Sequence, residues 1–289
     1  MIDQLYKSVE QNGVVCLGLD TKLDYLPAHL LQKYTTVEEQ LFQFNRAIIE
    51  ATKDVVACYK VQIAYYEAYG LAGLRAYQRT LQYLKRVQAI TIADIKRGDI
   101  ADTAAQYAKA HFSGDFESDF VTLNPYMGYD TLGPFLPYLK QGNKGVFVLV
   151  RTSNEGAKDI QDQDVANKKL YQVVGEGLEH LGTSYLGQCG YSAIGAVIGC
   201  TNTEEAVKIR KMLDKTFFLI PGYGTQGGTA HDVASLLKNG NGGVVNASRS
   251  ILLHYQKFSD GANRFDELAY LAATAMRSEI EGAIHDDAI

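Results

Sequence analysis

The chain is expected to fold as a closed (β/α)8 barrel of the TIM type. Three observations lead there. Eight short apolar runs recur along 289 residues, and helical spacing follows each of them. Most of these runs are continuous rather than alternating, as parallel strands covered on both faces require. No linker, charge block or low-complexity segment divides the chain, so residues 1–289 read as one barrel domain with short helical extensions at both ends. An open doubly wound sheet is the alternative.

The elements follow in order. Residues 1–12 carry Ile2, Leu5 and Val9 at helical spacing, and Asn12-Gly13 ends that helix. Val14 to Asp20 is the first strand, ending in an acid. Val37 to Val55 is helical with Leu41, Phe44, Ile48 and Ile49 inward. Ala57 to Ile63 is the second strand and carries Lys60 and Gln62. A long helical region, Tyr65 to Val87, is interrupted near Gly70 to Gly73. The third strand starts at Ile90, and Asp102 to Phe112 is its helix. Phe120 to Pro125 is the fourth strand; Thr131 to Lys140 reads as helical despite Pro134 and Pro137. Gly145 to Asn154 is the fifth strand, with a helix over Val165 to Leu181. Ala193 to Thr201 is the sixth, and a capped helix starts at Thr203. Phe217 to Gly224 is the seventh, followed by a helix over His231 to Lys238. Gly243 to Arg249 is the eighth, and Phe265 to about Ile284 closes the chain as a helix.

Bulk properties exclude several functions. A formal net charge of -5 leaves no basic surplus for nucleic acid. Cys16, Cys58, Cys189 and Cys200 lack CxxC spacing and read as reduced core residues. The N-terminus has no apolar signal region, and no apolar stretch approaches the ~20 residues of a membrane span. A cytoplasmic protein is expected. The six histidines form no HExxH or paired metal spacing; most lie in helical or loop regions away from the strand ends, where surface roles are expected. There is no GxSxG elbow.

In a barrel of this kind, sites form where strands end. Strand one ends in Asp20, strand two carries Lys60, and strand three brings Asp94, Lys96 and Asp99. Asn124, Thr152 and Ser153 end strands four and five; Asn246, Ser248 and Arg249 end strand eight. Regular alternation puts Asp94 and Lys96 on one face, with Ile95 on the other. If Lys60, Asp94, Lys96 and Asp99 converge, alternating signs keep one another ionised. A further anion beside Asp94 would be repelled by about 4 kcal/mol at ~4 Å and an effective dielectric of 20. A lysine beside a carbon becoming anionic would stabilise it and then protonate it. A salt-bridged barrel end without chemistry is the bland reading. The loop Pro221 to Gly228, with four glycines in eight residues, suits a phosphate grip, and Arg249 adds a cation. Its GxGxxG spacing (Gly222, Gly224, Gly227) is a weak dinucleotide fingerprint, because strand eight ends in Asn246 rather than an acid.

Ala93 to Ala104, ADIKRGDIADTA, resembles the signature of the orotidine 5'-phosphate decarboxylases. Leu17–Asp20, Phe44–Thr52, Cys58–Gly70, Thr122–Asp130, Val148–Ala157, Ile220–Gly228 and Val245–Leu252 resemble the family's longer bacterial branch, in its order. Glu155 departs from it, standing where a proline is common. The resemblance implies a barrel homodimer that converts orotidine 5'-monophosphate to UMP and CO2 without metal or organic cofactor, the last step of UMP synthesis. It implies Lys96 as proton donor to C6, Asp94 beside the substrate carboxylate and Lys60 in the charged array. Asp99, Ile100 and Thr103 would reach the neighbouring subunit's site. Asp20 and, more loosely, Gln62 would face the ribose, Ser153 the pyrimidine, and Gln226 and Arg249 the phosphate. Two alternatives remain: a metal-dependent sugar-phosphate decarboxylase or aldolase on a related barrel, and a non-catalytic UMP-binding protein.

Overall fold

Eight parallel strands close on one another in the computed structural model, which describes residues 1–199, 203–224 and 228–286. They are β1 (Val15–Gly18), β2 (Cys58–Gln62), β3 (Thr91–Arg97), β4 (Phe120–Leu123), β5 (Gly145–Arg151), β6 (Ser192–Ile198), β7 (Thr216–Ile220) and β8 (Gly243–Ala247). Neighbours pair in chain order, and β1 closes the ring by pairing with both β2 and β8. The barrel is packed rather than hollow: the rings of Phe120 and Phe147 meet at 5.2 Å. A Cβ on Gly195 of β6 would lie 2.6 Å from the Phe147 ring, so only glycine lets that ring fill the interior.

Helices alternate with the strands: α1 (Ile2–Asn12), α2 (Val37–Thr52), α3 (Gly70–Arg86), α4 (Ala101–Phe112), α5 (Leu136–Lys140), α6 (Leu170–Gly182), α7 (Thr203–Met212), α8 (Ala230–Ala234) and α9 (Phe265–Asp286). Leu41, Phe44, Ile48 and Ile49 of α2 are buried, as their spacing predicts. Thr36 caps that helix by accepting from Glu39 N at 3.2 Å, worth about 1 kcal/mol. The C-terminal α9 lies against α2, with Phe265 stacked on Phe44 at 5.1 Å. No helix of the described residues is long and apolar enough to cross a membrane.

Several boundaries differ from expectation. The break before α3 falls at Ala68–Tyr69, after a short helix Ala64–Glu67. The Thr131–Lys140 helix splits into a 3-10 turn, Tyr129–Leu132, and α5, because Pro134 and Pro137 have no N–H to donate. Val165–Leu181 starts late: a hairpin pairs Asp164–Val165 with Lys168–Lys169, and α6 begins at Leu170. Its two-residue turn, Ala166-Asn167, has φ of 49° and 66°, the backbone that a tight hairpin demands. The helix after β7 stops at Ala234. Thr203 is the first residue of α7 and its hydroxyl donates to Asp232, so any cap falls at 200–202, outside the described residues.

His111 is a further departure, since it is buried against Phe116 rather than at the surface. Burial first, and the charge of Arg97 second, lower its imidazole to about 4. The unfolded value is about 6.5, so the folded value is depressed. Its contribution to stability is present above pH 6.5 and lost as pH falls towards 4, about 3 kcal/mol in all. Replacing His111 by leucine is expected to flatten the stability–pH curve between 6.5 and 4. Chemical denaturation at a series of pH values checks this, and an unchanged slope would refute it.

Candidate active site

The C-terminal ends of β1, β2 and β3 bring five expected residues together. Asp94 lies at the centre, 4% exposed, and each of its carboxylate oxygens has two donors. Lys96 Nζ donates to Oδ1 at 2.6 Å and Thr122 Oγ1 at 2.9 Å. Lys60 Nζ donates to Oδ2 at 3.0 Å and Gln62 Nε2 at 2.9 Å. Lys60 also reaches Asp20 Oδ1 at 3.3 Å, so the charges alternate in space.

The loop that carries Asp20 is held by a buried polar network. Tyr66 donates to Leu19 O, Asn45 donates to the Tyr66 hydroxyl and to Thr80, and Thr21 donates to Asn45. Every one of these groups has a partner, so the network fixes its members rather than weakening the core.

Burial alone would raise the Asp94 carboxyl, but the charges of Lys60 and Lys96 and their hydrogen bonds hold it well below the usual carboxylate range. Burial alone would lower the Lys60 ammonium, and Asp20 and Asp94 instead raise it above the usual lysine range. Both stay charged at neutral pH. A further anion placed beside Asp94 meets the repulsion of its carboxylate.

Asp94 and Lys96 meet as expected, but not on a regular strand. The register of β3 against β4 shifts between Ala93 and Arg97, and Lys96 has φ 45°. A side chain in that left-handed region costs about 1–2 kcal/mol and persists where surrounding contacts dictate it. Here the N–H groups of Ile95 and Lys96 both donate to Thr122 Oγ1 at 2.9 Å.

The array opens on a cavity of about 230 Å3, walled also by Ser153, Leu149, Val197, Leu219, Pro221 and Asn246. Pockets that enclose a whole drug-sized ligand run to roughly 300–1,000 Å3, so this one is smaller than that range. A larger cavity, about 760 Å3, lies between α1 and the starts of β2 and β3, at the opposite end. Size does not make it the site, because in a barrel of this kind the site forms at the carboxyl ends of the strands.

Other expected residues stand apart. Asp99 accepts from its own neighbour, Ile100 N, at 2.8 Å and does not join Lys60, Asp94 and Lys96. Ile100 and Thr103 face solvent. Asn124 is exposed, caps the turn into Tyr126 and lines a neighbouring groove instead of the cavity. Arg249 is exposed at the start of a short helix, Arg249–Leu252. Gln226 lies outside the described residues. The loop around it is pinched by Gly224 N to Gly228 O at 3.0 Å, with Gly222 and Gly224 at φ 98° and 70°. Among the described residues no group of His, Cys, Asp and Glu is placed to hold a metal ion.

Two contributors were not anticipated. Thr122 is one; a hydroxyl in the apolar run FVTL is its only signal in the sequence. Gln161 is the other. It accepts from Thr152 N at 2.9 Å and donates to Thr152 Oγ1 at 2.8 Å, tying the segment after β5 to the Ser153 loop.

A family model described as Orotidine 5'-phosphate decarboxylase / HUMPS family matches residues 14–257. The orotidine 5'-phosphate decarboxylase of Clostridium kluyveri is 58% identical over 281 residues, 97% of each chain. That of Clostridium perfringens is 61% identical over 283 residues, 98% of each chain. The solved structure of Leishmania donovani OMP decarboxylase superposes with a TM-score of 0.74 at 28% identity, covering 96% of this chain and 98% of that one. These likenesses span nearly the whole chain, and the chain belongs to the orotidine 5'-phosphate decarboxylase family.

Proposed function

We propose that this barrel decarboxylates orotidine 5'-monophosphate to UMP and CO2, the last step of UMP synthesis. The observation that carries the reading is Asp94 held charged between two lysines at the mouth of a cavity of about 230 Å3. A substrate carboxylate beside Asp94 is repelled by it. When the C6–carboxylate bond breaks, its electron pair stays on C6, where no adjacent π-system spreads it. The fixed ammonium of Lys96 stabilises that pair and then delivers a proton, and Lys96 regains one from solvent. Asp20 and Gln62 face the ribose and Ser153 the pyrimidine. Pro221 opens the loop in which Gln226, with Arg249, grips the phosphate; Asn124, in the neighbouring groove, is left without a contact to the ring. Phosphate contacts far from C6 supply binding energy for positioning.

The reaction needs no cofactor in this reading. Lys60 stands on β2 where a metal-dependent sugar-phosphate enzyme would need an acidic ligand. A UMP-binding protein without chemistry has no physical need for the array. Residues 1–289 act as one barrel unit, and the free thiols of Cys16, Cys58 and Cys189 suit the reducing cytoplasm. The test is turnover of orotidine 5'-monophosphate by its loss of ultraviolet absorbance, with and without chelator. No turnover by folded protein sinks the proposal; loss of activity with chelator favours the metal-dependent reading.

The same proposal extends to a homodimer in which Asp99, Ile100 and Thr103 complete the partner's site. Its support is that Asp99 leaves its own array, while Ile100, Tyr126 and Met127 beside it are exposed apolar side chains at 51%, 82% and 51%. Lys96→Ala and Asp99→Ala proteins, each inactive, are expected to regain about a quarter of wild-type activity when their subunits are exchanged. Half of the dimers are then mixed, and one of the two sites in each is intact. No recovery despite exchange would remove Asp99 from the shared site.

A further inference from the structure

We propose that Thr122 is a positioning residue for the proton donor, which it holds at both ends. It sits in β4, buried, across from the point where β3 departs from regular pairing. In a regular parallel ladder, successive N–H groups point to opposite neighbours. At this bulge the N–H groups of Ile95 and Lys96 both turn to the β4 side, and one hydroxyl oxygen takes both at 2.9 Å. A hydroxyl has two lone pairs and one proton. With both lone pairs occupied, its proton is committed to Asp94 Oδ1, at 2.9 Å. That same oxygen receives the Lys96 ammonium at 2.6 Å. Thr122 therefore fixes the Lys96 main chain directly, at φ 45°, and its ammonium through the shared carboxylate oxygen.

No main-chain group substitutes for it. Without the hydroxyl, the buried N–H of Ile95 and the part-buried N–H of Lys96 lose their acceptor. The strand then relaxes towards regular pairing, and Lys96 no longer leaves it in the left-handed conformation that aims its side chain. Substrate contacts made by the ribose, phosphate and pyrimidine residues come from other strands and are untouched. The role thus appears in the chemical step and not in binding.

This inference rests on Lys96 as proton donor, and the experiment separates the two. Thr122→Val keeps shape and β-branching but removes the oxygen; Thr122→Ser keeps the oxygen and removes a methyl. Turnover kinetics are measured for both and for Lys96→Ala, with the Kd of UMP by calorimetry. Thr122→Val is expected to lower kcat by about 100-fold, with KM and the UMP Kd within about threefold of wild type. Thr122→Ser should stay within about fivefold on kcat, since it retains the donor and both lone pairs. A Thr122→Val enzyme as fast as wild type, or a Thr122→Ser enzyme as slow as Thr122→Val, overturns the proposal. If Thr122→Val does not fold, Thr122→Cys decides: its weakly accepting sulfur should cost kcat relative to serine, and equality with serine refutes the role. If Lys96→Ala itself turns over normally, the failure lies with the proton-donor assignment and not with Thr122.

Discussion

Lys96→Ala is expected to lower turnover by about 10⁴-fold or more while the protein stays folded. Two losses combine: the proton for C6, typically worth 10²–10⁴, and a fixed charge beside the developing carbanion, typically 10²–10³. A 10⁴-fold loss corresponds to about 5 kcal/mol of transition-state stabilisation. The fold should survive because the Lys96 side chain is 45% exposed, so its removal opens no buried cavity. The assay follows substrate absorbance, with circular dichroism as the check on folding. A folded variant within about tenfold of wild type would take Lys96 out of the chemistry, since a general acid contributes at least that much.

Asp94→Asn should injure stability and catalysis together. Asp94 neutralises two lysines and accepts from four donors. An amide there turns one acceptor into a donor facing donors and leaves the buried Lys60 with Asp20 alone. Removing one partner from a buried ion pair costs about 3–5 kcal/mol, a fall in Tm of roughly 5–8 °C for a chain of this length. The Asp94 value is depressed in the folded state, so its contribution is present above the unfolded carboxylate range near 4. It is lost progressively as pH falls from that range towards the still lower folded value. The difference between wild type and variant should therefore be constant from pH 5 to 9. Removing the repulsion of about 4 kcal/mol felt by the substrate carboxylate should also lower KM as kcat falls. A raised KM would instead indicate that Asp94 serves to order the lysines. A variant that melts with wild type would show the lysines standing without it.

The eight strands were legible because each is a continuous apolar run bounded by polar residues, the pattern of a parallel strand covered on both faces. What escaped was local. The turn at Ala166-Asn167 carries no glycine, so the Asp164–Lys169 hairpin was hidden inside a helical pattern. His111 has the spacing of an ordinary helical residue and lies in the core because Phe116 folds over it. Asp94 and Lys96 were read as neighbours through alternation, and they are neighbours, although a bulge and not alternation sets Lys96.

By itself the sequence determined eight strand–helix units and the strand ends on which Asp20, Lys60, Asp94 and Lys96 lie, because apolar periodicity and strand ends are properties of adjacent residues. Only the tertiary structure decided which of the charged residues meet. Lys60 is drawn to Asp94 across 34 positions of sequence, and Asp99, three residues beyond Lys96, is turned away. It also brought Thr122 and Gln161 into the site. A hydroxyl or an amide has no chemistry of its own to advertise; its role exists only once two unsatisfied groups from another segment are placed within 3 Å of it.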